Sequence, residues 1–394
     1  MKRIRFDIFS VPLIIITILL PTEFLYPNAI NKWEIRPKNY FGEMVSISGN
    51  FAIIGSYFTQ AVYIFKREGD KWIQDEKLSL YSDGYVGSPL SVSISGNYAT
   101  MGVYYETTGI CNAYIFKKEE YKWVEQAKLI GSDVVGSDVK EIYFAESVSI
   151  SGNYAIFGSG VYYPYQLGSV NIFKREGDKW LEQAKLIPSD ADDTEWPSFG
   201  YCGLSVSISG DYAIVGSTQI VSAYIFKRED NKWVEQAKLI PSSDGDSLNS
   251  FGESVSISGD YAIVGESGGQ PYIFKREGDK WIEQARLLVS DGRFVEISGD
   301  YAIVSCNHSA YIFKREGVKW VEQAKLEFDN YINDSISISE NYAIIGQSQS
   351  SSGYANIYTL PIETTPPNSC DANGDGIVNL KDILTCLQSL IGLF

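Results

Sequence analysis

The residues best equipped for chemistry lie near the C-terminus. Asp371, Asn373 and Asp375 place oxygen ligands at alternate positions, and Gly376 follows them. With Asp371 as position one of a loop, Gly376 makes the sharp turn at six and Ile377 offers its backbone carbonyl at seven. Asn379 stands at nine, where a ligand acts through water, and Asp382 at twelve. Calcium is the ion for such a loop, because this hard cation takes roughly six to eight oxygens at about 2.3–2.6 Å. Val378 supplies the apolar packing residue. Ile383, Leu384, Leu387, Leu390 and Ile391 then recur at helical spacing, so an exit helix is expected over 383–393. A helix that short needs something to cover its apolar face.

Catalytic chemistry is thin elsewhere. The single histidine, His308, sits two residues from Cys306 in a Cys-Asn-His-Ser turn with no evident orienting group. It reads as an exposed loop residue. No phosphate loop or His-rich metal motif occurs. Asp and Glu total 49, too many for any pair to stand out as a glycoside-cleaving couple. Asp190, Asp192 and Asp193, and likewise Asp244 and Asp246, read as solvated turn residues. The five cysteines contain no Cys-x-x-Cys pair, which disfavours zinc and thioredoxin-like sites. Cys370 and Cys386 flank the calcium loop and are candidates to pair; Cys111, Cys202 and Cys306 are expected to stay unpaired.

The elements that position these groups come from repetition. A Ser-Ile-Ser core, or a Glu-Ile-Ser variant, recurs at Ile47, Ile94, Ile150, Ile208, Ile257, Ile297 and Ile338. A Lys-Trp element follows the first six, at Trp72, Trp123, Trp180, Trp233, Trp281 and Trp320. The seventh lies at the other end, as Lys32-Trp33. An open array would leave both ends frayed, whereas a ring lets the N-terminal strand complete the last unit. Each unit reads as four strands: Ser-Val-Ser-Ile-Ser, Tyr-Ala-Ile-Val, Ala-Tyr-Ile-Phe-Lys-Arg and Lys-Trp-Val-Glu-Gln-Ala-Lys-Leu. Gly-Asp and Glu-Gly-Asp turns separate the first from the second and the third from the fourth. Narrow, Ser-rich strands suit a crowded axis, and Trp suits the widening gap between outer strands. Burying one Trp fully contributes up to about 5 kcal/mol by area. The fold expected is all-β, a seven-bladed propeller of four-stranded blades over 30–360.

In such a blade the second-to-third and fourth-to-first connections share one face, and these are the segments that vary. Binding tends to reside in variable loops on a rigid scaffold. That face carries Tyr57, Phe58, Tyr104, Tyr105, Tyr162, Tyr163, Tyr165, Trp196 and Tyr201 as candidate contacts to a protein or a glycan.

Bulk composition agrees. Over 394 residues, 44% are hydrophobic and 14% aromatic, a globular β composition. The net charge of −16 repels phosphate backbones and argues against nucleic acid. Lys2, Arg3 and Arg5 precede an apolar run from Ile8 to Leu20, the pattern of a signal peptide over 1–29 with cleavage near Ala29. An uncleaved anchor is the competing reading; either way the folded part is exported, and no stable span remains after cleavage. Pro361 to Asn368 is a Pro/Thr linker, and 369–394 is the calcium module.

The repeat resembles the bacterial FG-GAP family. The marks are Phe41-Gly42, Phe199-Gly200 and Phe251-Gly252, then Ser-Gly-Asp-Tyr-Ala-Ile-Val-Gly and Ala-Tyr-Ile-Phe. The resemblance covers about 31–360 and implies a seven-bladed ring distantly similar to the integrin α-chain head. It departs from that branch in having no Asp-x-Asp-x-Asp-Gly loop within a repeat, and the Phe-Gly mark is altered before the second, third, sixth and seventh blades, where irregular junctions are expected. The C-terminal loop and helix resemble one half of a type I dockerin, an EF-hand relative. A whole dockerin has two halves, so this one either docks to a cohesin-like module or pairs with another copy. Together these features lead to the expectation of a secreted, non-enzymatic interaction or adhesion protein tethered by calcium. The alternative is a propeller-borne polysaccharide lyase or hydrolase.

Overall fold

The computed structural model describes residues 32–35, 41–82, 84–131, 144–159, 169–190, 202–218, 221–242, 250–289, 291–328, 335–347 and 353–360. The expected signal peptide, linker, calcium loop and exit helix lie outside these residues.

Seven four-stranded antiparallel sheets are arranged as blades. Six are continuous segments, 44–79, 88–129, 147–186, 202–239, 255–286 and 294–327. The seventh takes three strands from 336–359 and its outermost strand from Lys32–Ile35. Trp33 lies opposite Ile357 in that pairing. The first strand of every blade touches the first strands of both neighbours, and the seventh touches the first. The ring is closed, as the displaced Lys-Trp element required.

The serines of the first strands explain the closure. Ile94 N–H donates to Ser46 Oγ at 3.2 Å, Ile150 to Ser93 at 3.3 Å and Ile208 to Ser149 at 3.2 Å. Ile257 and Ile297 repeat the bond to Ser207 and Ser256. Ile47 N–H to Ser337 Oγ, at 3.1 Å, joins the last blade to the first. Each serine thus caps a free backbone donor on the next blade, which would otherwise be left buried and unpaired. Glu296 takes a serine's place in the sixth blade. Its carboxylate accepts from Ser337 Oγ at 3.1 Å and from Ile338 N–H. Burial in the ring pushes this carboxyl up to about 8, against the pull of those two hydrogen bonds.

Outer strands are joined by a repeated Tyr–Trp–Arg contact. Tyr98 meets Trp180 edge-on at 6.1 Å, and the Arg175 guanidinium lies 4.9 Å over the Tyr98 ring. Tyr154 with Trp233 and Arg228, and Tyr212 with Trp281 and Arg276, repeat it. Trp180, Trp233 and Trp281 Nε1 donate to Gln126, Gln183 and Gln236 on the preceding blade. Full burial of all seven Trp does not hold. Trp72, Trp123 and Trp180 are buried, whereas Trp33, Trp233, Trp281 and Trp320 are only partly so.

The Phe-Gly mark serves close approach between blades. Phe41 and Phe251 are buried, and Gly42 and Gly252 have φ of +91° and +92°. A Cβ on Gly346 or Gly216 of the preceding blade would fall 2.0 Å from the carbonyl oxygen of Gly42 or Gly252. The third junction keeps this geometry without the glycine: Phe144 is buried, and Ala145 stands at φ +62° against Gly102. That junction is regular, contrary to the expectation from its altered residues, because alanine tolerates the left-handed region at modest cost.

Candidate ligand-binding face

The ring has two dissimilar ends. One is ringed by first-to-second turns such as Ser48-Gly49-Asn50 and Ser339-Glu340-Asn341 around a cavity of about 440 Å³. The other holds a cavity of about 430 Å³ formed by Glu43, Met44, Val45, Tyr57, Ser91 and Ser335, with further residues from the blade-two entry. This second end carries the variable connections.

Tyr57 sits at its wall. Its backbone N–H donates to the Glu43 carboxylate, and its hydroxyl donates to Glu106 Oε1 at 3.2 Å. Burial, together with the Glu106 carboxylate beside it, raises the Tyr57 phenol above its ordinary value. Phe58 is 60% exposed and meets the Tyr57 ring edge-on at 5.7 Å. Tyr104 is half-buried on the next blade, opposite Cys111. The sequence expectations for Tyr57, Phe58 and Tyr104 therefore converge on one sector, blades one and two.

Tyr105 does not join them. It is 4% exposed, and its hydroxyl shares a 2.8 Å hydrogen bond with that of Tyr114. The alternation of the strand Tyr98–Tyr105 turns it into the core, so its place in the candidate list is corrected. Tyr162, Tyr163, Tyr165, Trp196 and Tyr201 lie outside the described residues, as do the calcium-loop residues Asp371, Asn373, Asp375, Ile377, Asn379 and Asp382.

Sequence reasoning missed Tyr81 and Tyr85. They flank a two-stranded hairpin, Tyr81–Ser82 with Tyr85–Val86, in the connection from blade one to blade two. Both rings are exposed. The Asp83-Gly84 pair between two tyrosines is the turn signal that marks this hairpin. Glu43 and Glu106 were hidden among many carboxylates.

Reactive groups are scarce here. Cys111 and Cys306 are free and buried, and burial pushes both thiols up to about 12, where thiolate chemistry is suppressed. His308 is exposed, in its turn. At Asp190, burial acts upward, but hydrogen bonds from Lys238 and from Tyr224 at 2.8 Å outweigh it and lower the carboxyl. Among the described residues, no three potential metal ligands converge.

A family model described as FG-GAP repeat matches residues 180–226 and 233–276. These two segments carry the FG-GAP repeat. The matched segments run from the outer strand of the third blade to the third strand of the fifth, so each spans a blade junction. Among solved structures, the chain is similar to the crystal structure of Saccharomyces cerevisiae Sqt1, with a TM-score of 0.50 and 12% identity. That match covers 84% of this chain and 99% of the other, and at this identity it concerns the fold alone. A search of curated proteins finds no match.

Proposed function

We propose that this FG-GAP propeller is a secreted, non-catalytic interaction protein whose variable face binds an extracellular protein or glycan. The observation that carries this reading is the contrast between the two ends of the ring. One end repeats the same short turns, while the other carries the variable connections, with Tyr57 bonded to Glu43 and Glu106, Phe58 against the Tyr57 ring, and exposed Tyr81 and Tyr85 in the connection to the next blade. Rigid aromatic rings give large contact area at low entropy cost, which suits recognition. The C-terminal loop, loaded with calcium, would tether the ring to an extracellular assembly. Asp371, Asn373, Asp375, Asn379 and Asp382 would supply side-chain oxygens, and Ile377 its carbonyl.

The test is binding of the full chain to immobilised extracellular glycan and protein fractions. Phe58→Ala with Tyr81→Ala is expected to weaken capture about tenfold, and Arg67→Ala on the opposite face to leave it unchanged. Equal loss in both variants would discard the assignment of the face. A chelator, or removal of 369–394, is expected to abolish tethering without abolishing ligand capture.

A further inference from the structure

The three connections at blades one and two form an apolar patch, and the inference from it rests on the binding role proposed above. Phe58, Tyr81, Tyr85, Val86 and Ile110 all expose apolar surface there, Tyr81 by 68%. Elsewhere among the described residues, exposed aliphatics recur from blade to blade along the outer strands, as Leu181, Val234 and Ile282 do. The patch is held as one unit. Phe58 lies edge-on to the Tyr57 ring, and the Tyr57 hydroxyl donates to Glu106 on the second blade's hairpin. Gly87 N–H donates to the Leu80 carbonyl at 2.7 Å and closes the Tyr81–Val86 hairpin. A Cβ on Gly87 would fall 2.9 Å from the Tyr105 ring, so the base of that hairpin lies against the strand that leads to Glu106.

Charge in this sector is one-sided. Segments 41–65 and 79–116 contain no Lys, Arg or His, yet they hold Glu43, Asp83 and Glu106. Glu106 is exposed, and the Tyr57 bond takes one of its two oxygens. On other blades the molecule lays its own cations over tyrosine rings. Arg228 covers Tyr154, Lys238 covers Tyr224 and Arg286 covers Tyr272, at 4.9–5.6 Å. Tyr81 and Tyr85 are exposed, and their own segment offers no such cation. An exposed ring face attracts a cation through its quadrupole, and a carboxylate in the same sector adds to that attraction. We propose that this sector docks an extracellular protein through a segment in which Lys or Arg stands beside apolar side chains.

The chemistry favours that partner over others. An ammonium or guanidinium is drawn by both the ring faces and the carboxylates. Val86 and Ile110 add aliphatic surface that suits Leu or Ile beside the cation. A neutral glycan brings no charge to meet Glu106. A sulfated or uronic glycan, like an anionic lipid surface, is repelled by a protein of net charge −16. A second copy of this chain would bring the same acidic sector and the same net charge. A basic partner gains association rate from the long-range field as well as affinity from the contact.

The experiment selects random dodecapeptides displayed on phage against the immobilised full chain. Recovered peptides are expected to be enriched in Lys or Arg next to Leu, Phe or Trp. A recovered peptide, made synthetically, is expected to bind about tenfold more weakly at about 500 mM than at about 50 mM sodium chloride. Tyr81→Ala with Tyr85→Ala is expected to weaken it about tenfold, and Glu106→Gln about threefold. Ile240→Ala, at an exposed aliphatic just past the outer strand of the fourth blade, is expected to leave it unchanged. All of these side chains are exposed, so melting curves are expected to match the wild type, and lost affinity then cannot be ascribed to unfolding. Peptides without basic enrichment, or binding that survives both sector variants, would overturn the proposal. If that failure accompanies loss of extracellular glycan capture in Phe58→Ala with Tyr81→Ala, the face stands and its ligand is a glycan. If capture is untouched as well, the binding role of the face falls with the proposal.

Discussion

Trp33 and Ile357 stand opposite each other in an antiparallel ladder, one from the first described strand and the other from the last. The ladder is short, running only from Lys32 opposite Tyr358 to Ile35 opposite Ala355. Trp33 reinforces it sideways, with Nε1 donating to the Asp70 carbonyl of the first blade at 2.7 Å. The tryptophan of that blade fares worse. Trp72 Nε1 is buried without a hydrogen bond.

Deleting 32–35 tests this strand. It uncovers the edge of Tyr354–Thr359 and part of the fully buried Ile357. The thermal midpoint is expected to fall by roughly 5 °C or more, and the bare edge to promote self-association. Melting curves and size-exclusion chromatography read both effects. An unchanged midpoint would mean that the ring does not depend on its closing strand.

A second contrast separates glycines that permit contact between blades from glycines that permit a turn. A Cβ on Gly216 falls 2.0 Å from the Gly252 carbonyl oxygen, so Gly216→Ala is expected to cost about 3 kcal/mol. Gly259 lies at φ +58° in open space, so Gly259→Ala is expected to cost about 1 kcal/mol. Urea titration of both variants checks the order, and a reversed order would contradict the close-approach account.

Glu296 predicts an unusual pH response. Its carboxyl, pushed up to about 8 from the usual 4.5, keeps a proton in the folded ring that the unfolded chain releases. The stability it contributes is full below its unfolded value and is lost as pH rises through 8. The groups on it are Ser337 Oγ and the Ile338 N–H, neither of which titrates in that window. The thermal midpoint is expected to drop by a few degrees from pH 5 to pH 8, and Glu296→Gln to remove that slope. A wild-type profile as flat as the variant's would show that the carboxyl ionises freely.

Much of the architecture was legible because one unit recurs. The Ser-Ile-Ser and Lys-Trp elements gave strand count, blade count and closure, since a repeat that cannot bury its own faces must stack on its neighbours. Tyr57 and Phe58 were legible as face residues because their segment varies between units. Tyr105 was not, because the hairpin of the second blade is longer than its counterparts and its alternation runs on into the core.

The rungs all run one way around the axis, from a serine on six of the blades, and from Glu296 on the sixth in order, to an amide on the successor. A blade is thus defined by what it hands forward and what it receives, and by nothing that marks it as first. New chain ends placed between two other blades, with Thr359 joined through a linker to Lys32, would leave every rung in place. Circular order, more than linear order, is what this polypeptide encodes.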